Sequence, residues 1–282
     1  MAVYRETDGN IVREYALQEG MPVFSKQTKR AFLDIVSTKA YGTTLFLDNE
    51  LQFAEKDEYI YHEMLVHPCL LASQSRKNIC IFGGGDGCAA REILKWGNEV
   101  DSIDIIDWDS EVTTMFTKEY SWINSESLNN QKVNIENVNI RECLHEERSY
   151  DCILIDLLDP NLEEPYQLDL WYDCLFLAKQ WLKEGGAIII NAGGMTSWDT
   201  KSVVSFLDLA QRRLHYPLFL SKVFVPSFGR DWCFVQNFTS EDLHFERLPS
   251  NLRYMSKEAW NSAFFTGWTP DYRKCFCLNT IN

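Results

Sequence analysis

From residue 78 onward the sequence alternates short apolar runs with helix-like segments, and this alternation limits the possible folds more than any other feature. Strands are predicted at 78–82, 100–106, 133–140, 152–155 and 187–191, with helices between them at 88–95, 109–120, 168–182 and 198–214. Strands that alternate with helices are typical of a parallel sheet. A closing antiparallel pair is predicted at 218–225 and 232–238. The sequence therefore predicts an α/β domain with a mostly parallel sheet.

The segment before this domain has a different pattern. Residues 1–73 read as a small β-rich domain, with strands at 32–37 and 43–47 and a helix at 56–71. No Gly/Ser-rich linker follows the helix, so we expect the two domains to pack directly on each other. The predicted division is 1–73, 74–240 and a C-terminal extension, 241–282, that packs on the α/β domain.

Composition excludes several classes of protein. The 282 residues are 45% hydrophobic and 24% charged, as in an ordinary globular protein, and the net charge of −14 argues against nucleic-acid binding. The nine cysteines form no CxxC pair, which favours reduced core thiols. The first residues lack the apolar stretch of a leader, and no apolar run has the length of a membrane span. We expect a cytoplasmic protein with neither a nucleic-acid nor a membrane partner.

A glycine-rich turn follows the first strand of the predicted sheet. Gly83, Gly84, Gly85 and Gly87 surround Asp86, at the start of a helix, and Asp107 ends the next strand. Such glycines let a ligand approach the backbone, and an acid at the second strand end binds ribose hydroxyls in nucleotide folds. A turn without ligand remains the alternative. Because Asp86 would repel a pyrophosphate, the pattern favours a nucleoside without phosphates, such as an S-adenosyl compound.

Two aspartates follow the fourth strand. Asp156 ends the apolar run, and Asp159 precedes Pro160, which disfavours helical geometry at Asp159. Carboxylates at the carboxyl end of a central strand lie where open α/β sheets bind ligands. Such a pair could hold a cationic amine and remove its proton. The alternative is a pair of turn-capping aspartates.

The helix at 56–71 carries the third candidate group. Tyr61 and His62 could face a cleft between the domains, with Gln52 in the preceding loop; ordinary packing is the alternative for each. His62 and His67 have no third ligand at metal spacing along the chain, so we predict no metal site.

Together these motifs resemble those of the polyamine aminopropyltransferases, which include spermidine, spermine and thermospermine synthases. The similarity runs from about residue 25 to 240 and is greatest to the thermospermine synthase branch. The motifs are Leu47 to Gln52, Asp57 to Glu63, Gly83 to Gly87 with Arg91 and Glu92, Asp156 to Pro160, Pro165 to Leu168, and Val225 to Phe228 with Trp232.

The resemblance implies a small N-terminal β domain, a methyltransferase-type Rossmann-like domain, and a homodimer or homotetramer. It implies decarboxylated S-adenosylmethionine as co-substrate, no cofactor, and methylthioadenosine as by-product. Asp156 would be the catalytic base. The acceptor would be bound by Asp159, Tyr61, His62, Phe228 and Trp232. The donor would be bound by Gln52, Gly83, Gly85, Asp86, Asp107 and Glu142.

The acceptor amine stays open among spermidine, putrescine and agmatine. Ala31 and Asn191 stand where the family often has glutamine. Two other functions remain possible: an amine N-methyltransferase that uses S-adenosylmethionine on the same scaffold, and a catalytically silent homologue.

Overall fold

The amino-terminal part of the chain is built from antiparallel strands. The structure, a computed structural model, describes residues 2–8, 11–21, 23–196 and 199–263. A hairpin of β1 (Val3–Asp8) and β2 (Ile11–Ala16) precedes a four-stranded sheet of β3 (Phe24–Gln27), β4 (Phe32–Thr38), β5 (Gly42–Leu47) and β6 (Glu50–Ala54). Asp48 and Asn49 link β5 to β6 with φ of 47° and 67°, as a two-residue hairpin turn requires. The predicted β-rich region is confirmed.

Helix α1 (Glu58–Ala72) connects this sheet to the rest of the molecule and is buried along nearly its whole length. Glu63 of this helix has a fully buried side chain that binds the backbone of a distant segment. The Glu63 carboxylate accepts backbone N–H groups from Arg253, Tyr254 and Met255 at 2.8, 2.7 and 2.8 Å. A buried carboxylate is stable only when it is bonded in this way. The predicted domain boundary at residue 73 falls just after this helix.

The second region is a seven-stranded sheet with helices on both faces. In chain order its strands are β7 (Asn78–Gly83), β8 (Ser102–Ile106), β9 (Val133–Glu136), β10 (Tyr150–Asp156), β11 (Leu182–Met195), β12 (Phe219–Val225) and β13 (Arg230–Gln236). The helices are α2 (Cys88–Leu94), α3 (Ser110–Thr117), α4 (Pro165–Trp181), α5 (Lys201–Leu214) and α6 (Lys257–Ala263). The order across the sheet is β12-β13-β11-β10-β7-β8-β9, and β7 to β11 run parallel. The predicted α/β architecture is confirmed.

The central strands are apolar throughout because both faces of the sheet are covered. Ile79 and Ile81 of β7 belong to an apolar cluster that includes α1 and α2. Cys80 and Phe82 belong to a second cluster, which includes α4 and α5. Burying each large side chain contributes about 1.5–3 kcal/mol, so this double-sided core fixes the strand ends on which the site depends.

Two predicted strands differ from the structure by more than two residues at an end. β9 ends at Glu136, and residues 140–143 form a short 3-10 turn, because the Asn139 side chain accepts the Arg141 N–H and Glu142 bonds back to the Asn139 N–H. β11 begins at Leu182, so Gly185 and Gly186 lie within the strand. A Cβ at Gly186 would lie 2.9 Å from the Asp151 carbonyl oxygen, so close pairing with β10 explains that glycine.

Two predicted helix starts also differ. α4 begins at Pro165 because proline suits the first helical position and the Glu164 side chain caps the Gln167 N–H at 2.7 Å. α5 begins at Lys201. The predicted start of α5 at Trp198 lies outside the described residues.

The C-terminal extension packs on the body as far as it is described. Trp260 is fully buried, stacks on Phe238 with ring centroids 6.1 Å apart, and donates to the Ser240 hydroxyl at 3.1 Å. Residues 264–282 lie outside the described part of the chain. Within the described ranges, every helix is too short or too polar to span a membrane.

Candidate active site

Three parallel strands end side by side at one edge of the central sheet. Asp156, the last residue of β10, pairs in register with Gly83, the last residue of β7, and β8 lies on the other side of β7. The chain order reverses direction between β7 and β10, and ligands of open α/β sheets bind at such a switch point. The loops after these strands therefore form the candidate site.

The glycine turn allows the strand ends to approach each other. Gly83 has φ of 83°, and a Cβ there would lie 2.1 Å from the Asp156 carbonyl oxygen. A Cβ at Gly85 would lie 2.6 Å from Asp107 Oδ2, which instead accepts the Gly85 N–H at 3.0 Å. Any larger side chain at either position would push the acids apart.

Asp107 is fixed by two backbone donors. The Gly85 N–H binds one carboxylate oxygen, and the Asp109 N–H binds the other at 2.8 Å. Burial raises the pKa of Asp107 to about 6, although these two N–H groups oppose the shift. Asp107 is thus oriented beside the glycine turn, where a hydroxyl donor from a ligand would stabilise its ionised form.

Asp156 is the strongest candidate for a general base. The Tyr61 hydroxyl, projecting from α1, donates to Asp156 Oδ1 at 2.5 Å. Burial raises the pKa of Asp156 to about 6 and nearby Asp86 adds to this, while His62 and Tyr61 oppose it. A carboxylate with a raised pKa accepts a proton more readily than an exposed aspartate does.

His62 and Asp86 lie next to this pair. His62 Nδ1 lies 2.8 Å from Glu58 Oε2, and its other ring nitrogen is 3.9 Å from Asp86 Oδ2. Burial alone would lower the pKa of His62, but Glu58 and Asp86 outweigh it and raise that pKa to about 9. His62 is therefore cationic near neutral pH and faces the Asp86 carboxylate.

Asp159 lies three residues after Asp156, and its side chain is exposed to water. Desolvation by the surrounding protein raises the pKa of Asp159 to about 6 and Glu50 adds to this, while Asn191 opposes the shift and solvent screens it. Asn191 lies 3.4 Å from Asp159 and donates to the Leu157 carbonyl at 2.8 Å. Asp159 is thus more exposed to water than Asp156, and the binding role of the one and the base role of the other stay predictions.

An aromatic wall, formed by Phe228 and Trp232, lies beside Tyr61. The rings of Phe228 and Trp232 are 4.2 Å apart, and their centroids lie 6.4 and 6.3 Å from that of Tyr61. The Trp232 N–H donates to Asn191 Oδ1 at 2.9 Å, while Asp57 accepts the Ser227 N–H at 2.7 Å. This surface suits an aliphatic chain whose charged ends reach the carboxylates.

The structure brings most of the predicted site residues together. Those that lie together near the carboxyl ends of the central strands are Tyr61, His62, Gly83, Gly85, Asp86, Asp107, Asp156, Asp159, Phe228 and Trp232. Gln52 and Glu142 form local hydrogen bonds instead, to the Glu50 carbonyl and to the Asn139 N–H. The roles of all twelve residues remain predictions.

Several residues next to the candidate site received no role from the sequence alone. Glu58 and Arg91, which lie within resembling motifs, are 2.8 Å apart and set the charge around His62. Asn191 connects Trp232 to the loop after β10, and its sequence signals are its place at a strand end and its position where the resembled family often has glutamine. Cys88, which lies close to Glu58 and His62, has no sequence signal of its own.

Comparison with known proteins identifies relatives of most of the chain. Residues 58–246 match the family model described as the spermine/spermidine synthase domain. A polyamine aminopropyltransferase of Leptospira interrogans is 36% identical over 245 residues, covering 83% of this chain and 46% of the relative. A thermospermine synthase of Arabidopsis thaliana is 31% identical over 240 residues, covering 81% of this chain and 70% of that protein. The chain thus spans about half the length of the Leptospira relative.

Solved structures share the fold over almost the whole chain. A spermidine synthase in complex with the transition state analogue AdoDATO superposes with a TM-score of 0.81 at 23% identity, covering 98% of this chain and 94% of that chain. A spermidine synthase from Thermotoga maritima gives a TM-score of 0.79 at the same identity. At this identity the similarity establishes the fold.

Proposed function

We propose that this chain, which belongs to the spermine/spermidine synthase family, is a polyamine aminopropyltransferase. It would move the aminopropyl group of decarboxylated S-adenosylmethionine to spermidine or putrescine and release methylthioadenosine. The observation that carries the proposal is Asp156 at the switch point of the sheet, its pKa raised to about 6 and its carboxylate oriented by the Tyr61 hydroxyl at 2.5 Å.

The donor is favoured by the position of Asp86. This carboxylate lies beside the glycine turn and 3.9 Å from His62. A donor tail that ends in an ammonium is attracted to it, whereas the carboxylate of S-adenosylmethionine is repelled. At 4 Å and an effective dielectric constant of 20, one such interaction amounts to about 4 kcal/mol before desolvation. Asp86 therefore supports the decarboxylated donor.

The reaction needs one deprotonation and accurate positioning. The acceptor amine is protonated near neutral pH, with a pKa of about 10 by analogy with lysine. Asp156 takes its proton, and the nitrogen lone pair then attacks the carbon next to the sulfonium. The carbon–sulfur bond breaks, and its electron pair stays on sulfur as a neutral thioether. This chemistry requires no resident metal or cofactor, which is part of the proposal.

The acceptor would lie along the aromatic wall. Phe228 and Trp232 offer apolar contact to the methylenes, and Asp159 offers a carboxylate to the second ammonium. Glu50 contributes further negative charge near Asp159, which favours an acceptor with an additional cationic nitrogen. We therefore rank spermidine before putrescine as the acceptor.

An amine N-methyltransferase is the competing enzymatic function. It would use S-adenosylmethionine, and Asp86 disfavours that donor because of its carboxylate. A catalytically silent homologue is disfavoured by the intact pair of Tyr61 and Asp156.

One experiment separates these functions. The protein is incubated with decarboxylated S-adenosylmethionine and equal putrescine, spermidine and agmatine, and the products are separated by chromatography. We expect methylthioadenosine with an aminopropylated polyamine. Calorimetry should show the decarboxylated donor binding more tightly than S-adenosylmethionine, with the difference narrowed in Asp86→Asn. Tighter binding of S-adenosylmethionine would support a methyltransferase, and binding of both ligands without product would support the silent homologue.

The assembly and location stay within the proposal. A homodimer or homotetramer is expected from the family resemblance, and light scattering coupled to size-exclusion chromatography measures it directly. A cytoplasmic location is the expectation from the reduced cysteines.

A further inference from the structure

Three buried side chains of different chemistry meet behind the candidate site. Glu58, His62 and Cys88 each offer one donor atom, and these atoms all lie within 4.8 Å of one another. The side chains of Glu58 and His62 are only 4% and 3% exposed, and Cys88 is fully buried. The group combines a carboxylate oxygen, an imidazole nitrogen and a thiol sulfur.

The fold accounts for the meeting of these residues. Glu58 and His62 are four residues apart on α1 and therefore share one face of that helix. Cys88 is the first residue of α2, placed there by Gly87, whose φ of 79° turns the chain into the helix. The two helices pack against each other in one apolar cluster. The third donor, Cys88, thus comes from a part of the chain that is distant in sequence from Glu58 and His62. Spacing along the chain could therefore not reveal the group.

We propose that Glu58, His62 and Cys88 form an inhibitory binding site for a zinc-class divalent metal ion. Thiolate and imidazole ligands select zinc and its neighbours over magnesium or calcium, which prefer oxygen. Zinc accepts three protein ligands and leaves a fourth position open. Asp86 Oδ2 lies 3.9 Å from the second ring nitrogen of His62, on the opposite side of the imidazole from Glu58, and so stays outside the coordination of the ion.

The charges around the cluster can accommodate the ion. Glu58 Oε2 now lies 2.8 Å from both His62 Nδ1 and Arg91. The metal would replace the proton shared with His62, and the Cys88 thiol would lose its proton to solvent. Arg91 remains paired because its side chain also contacts Glu92 at 2.9 Å. Binding should tighten as the pH rises, since the metal competes with protons for its ligands.

Occupation of the site would interfere with catalysis, an effect that rests on the proposed function. The metal would fix His62, which neighbours Tyr61 in sequence and contacts Asp86 in space. Binding of the metal itself does not depend on the proposed function.

Cobalt(II) tests the binding directly because a thiolate–cobalt bond absorbs in the near ultraviolet and tetrahedral cobalt absorbs in the visible. The full chain is titrated with cobalt and then with zinc under reducing conditions. We expect one equivalent of cobalt to develop both bands and zinc to remove them. In Cys88→Ser the near-ultraviolet band should vanish. In the control Cys174→Ser, which alters a buried thiol of the second apolar cluster, both bands should persist.

The proposal is overturned if wild-type protein develops no thiolate band with excess cobalt, or if Cys88→Ser keeps that band. Circular dichroism checks the folding of each variant. Should Cys88→Ser fail to fold, His62→Gln retains every thiol and is expected to bind cobalt about tenfold or more weakly. Unchanged cobalt affinity in a folded His62→Gln would also reject the site.

Turnover gives the second readout. Without metal, Cys88→Ser should retain activity within about twofold, because serine keeps the backbone N–H that donates to Asp86 Oδ1 at 2.8 Å and replaces the thiol by a hydroxyl of similar size. Zinc should inhibit wild type and Cys174→Ser reversibly, with activity restored by a chelator, and should inhibit Cys88→Ser at least about tenfold more weakly. Equal zinc sensitivity would reject inhibition through this site. If no transfer activity exists, the cobalt bands alone decide the binding.

Discussion

Strand β10 carries an aspartate near each end, and the surrounding protein shifts the pKa values of the two in opposite directions. Asp151, near the amino end, accepts the Asn78 N–H at 2.8 Å and pairs with Lys183 at 2.9 Å. Burial alone would raise the pKa of Asp151, but these partners outweigh it and lower that pKa. At the carboxyl end, burial and Asp86 raise the pKa of Asp156 to about 6, and its close partner is the neutral Tyr61 hydroxyl.

The difference between the two aspartates lies in the groups that compensate their negative charge. A carboxylate with a cation and backbone donors is stabilised in its charged form and contributes to folding. A carboxylate that lacks such compensation is strained as an anion and gains from accepting a proton. The same residue type is thus stabilised as an anion at one end of the strand and destabilised as an anion at the other.

The largest expected effect is on turnover and comes from replacing Asp156. Asp156→Asn should lower turnover by roughly 100- to 10,000-fold, since that is what a positioned general base contributes. Donor affinity, measured by calorimetry, should change little. Asp151→Asn is the matched control and should retain turnover within about threefold. Near-normal turnover in Asp156→Asn would contradict the assignment of the base.

The pH dependence should come from the same end of the strand. Because Asp156 must be ionised to accept a proton and its pKa is about 6, kcat/KM should fall about tenfold per pH unit below 6. Initial rates at saturating donor, from pH 5 to 8, measure this. Asp151→Asn should keep the inflection near pH 6. An inflection near pH 4 in the wild type would mean that Asp156 is not perturbed in the free enzyme.

The smallest effects should appear in stability, with opposite signs. Asp151 has a lowered pKa in the folded state, so its contribution is present above its unfolded pKa and lost as the pH falls through the folded value. Asp151→Asn should therefore destabilise the protein by about 2 kcal/mol at pH 7.

Asp156 behaves in the reverse way. Its raised pKa means that stability is lost as the pH rises from about 4 to about 6, so Asp156→Asn should stabilise the protein by about 1–2 kcal/mol at pH 7. Urea unfolding of both variants at pH 7 measures the two changes. Shifts of the same sign would contradict the contrast between the strand ends.

The order of strands and helices could be predicted because it depends on local patterns. Apolar runs such as 78–82 and 152–155 place apolar side chains on both faces of a strand, which predicts a buried strand. A glycine such as Gly83 indicates the turn that follows it. The acids at the strand ends could be placed together for the same reason, since parallel strands end at one edge.

Features that depend on distant contacts could not be predicted. Gly185 and Gly186 read as a helix stop, yet both lie in β11, where Gly186 closely approaches the Asp151 carbonyl of β10. Glu142 read as a strand end, yet a local capping pattern shortens β9. The meeting of Cys88 with α1 depends on helix packing, which no spacing along the chain encodes.

Three consecutive residues of α1 have three different tasks. Tyr61 binds Asp156, His62 contacts Glu58 and Asp86, and Glu63 holds the backbone of residues 253–255. Each residue of a helix turns its direction by about 100°, so inserting or deleting one residue ahead of Tyr61 would misdirect all three side chains together. The number of residues between β6 and Tyr61 is therefore constrained, whereas a single substitution there leaves these side-chain directions unchanged. Homologous replacement of this segment should succeed only when its residue count is preserved.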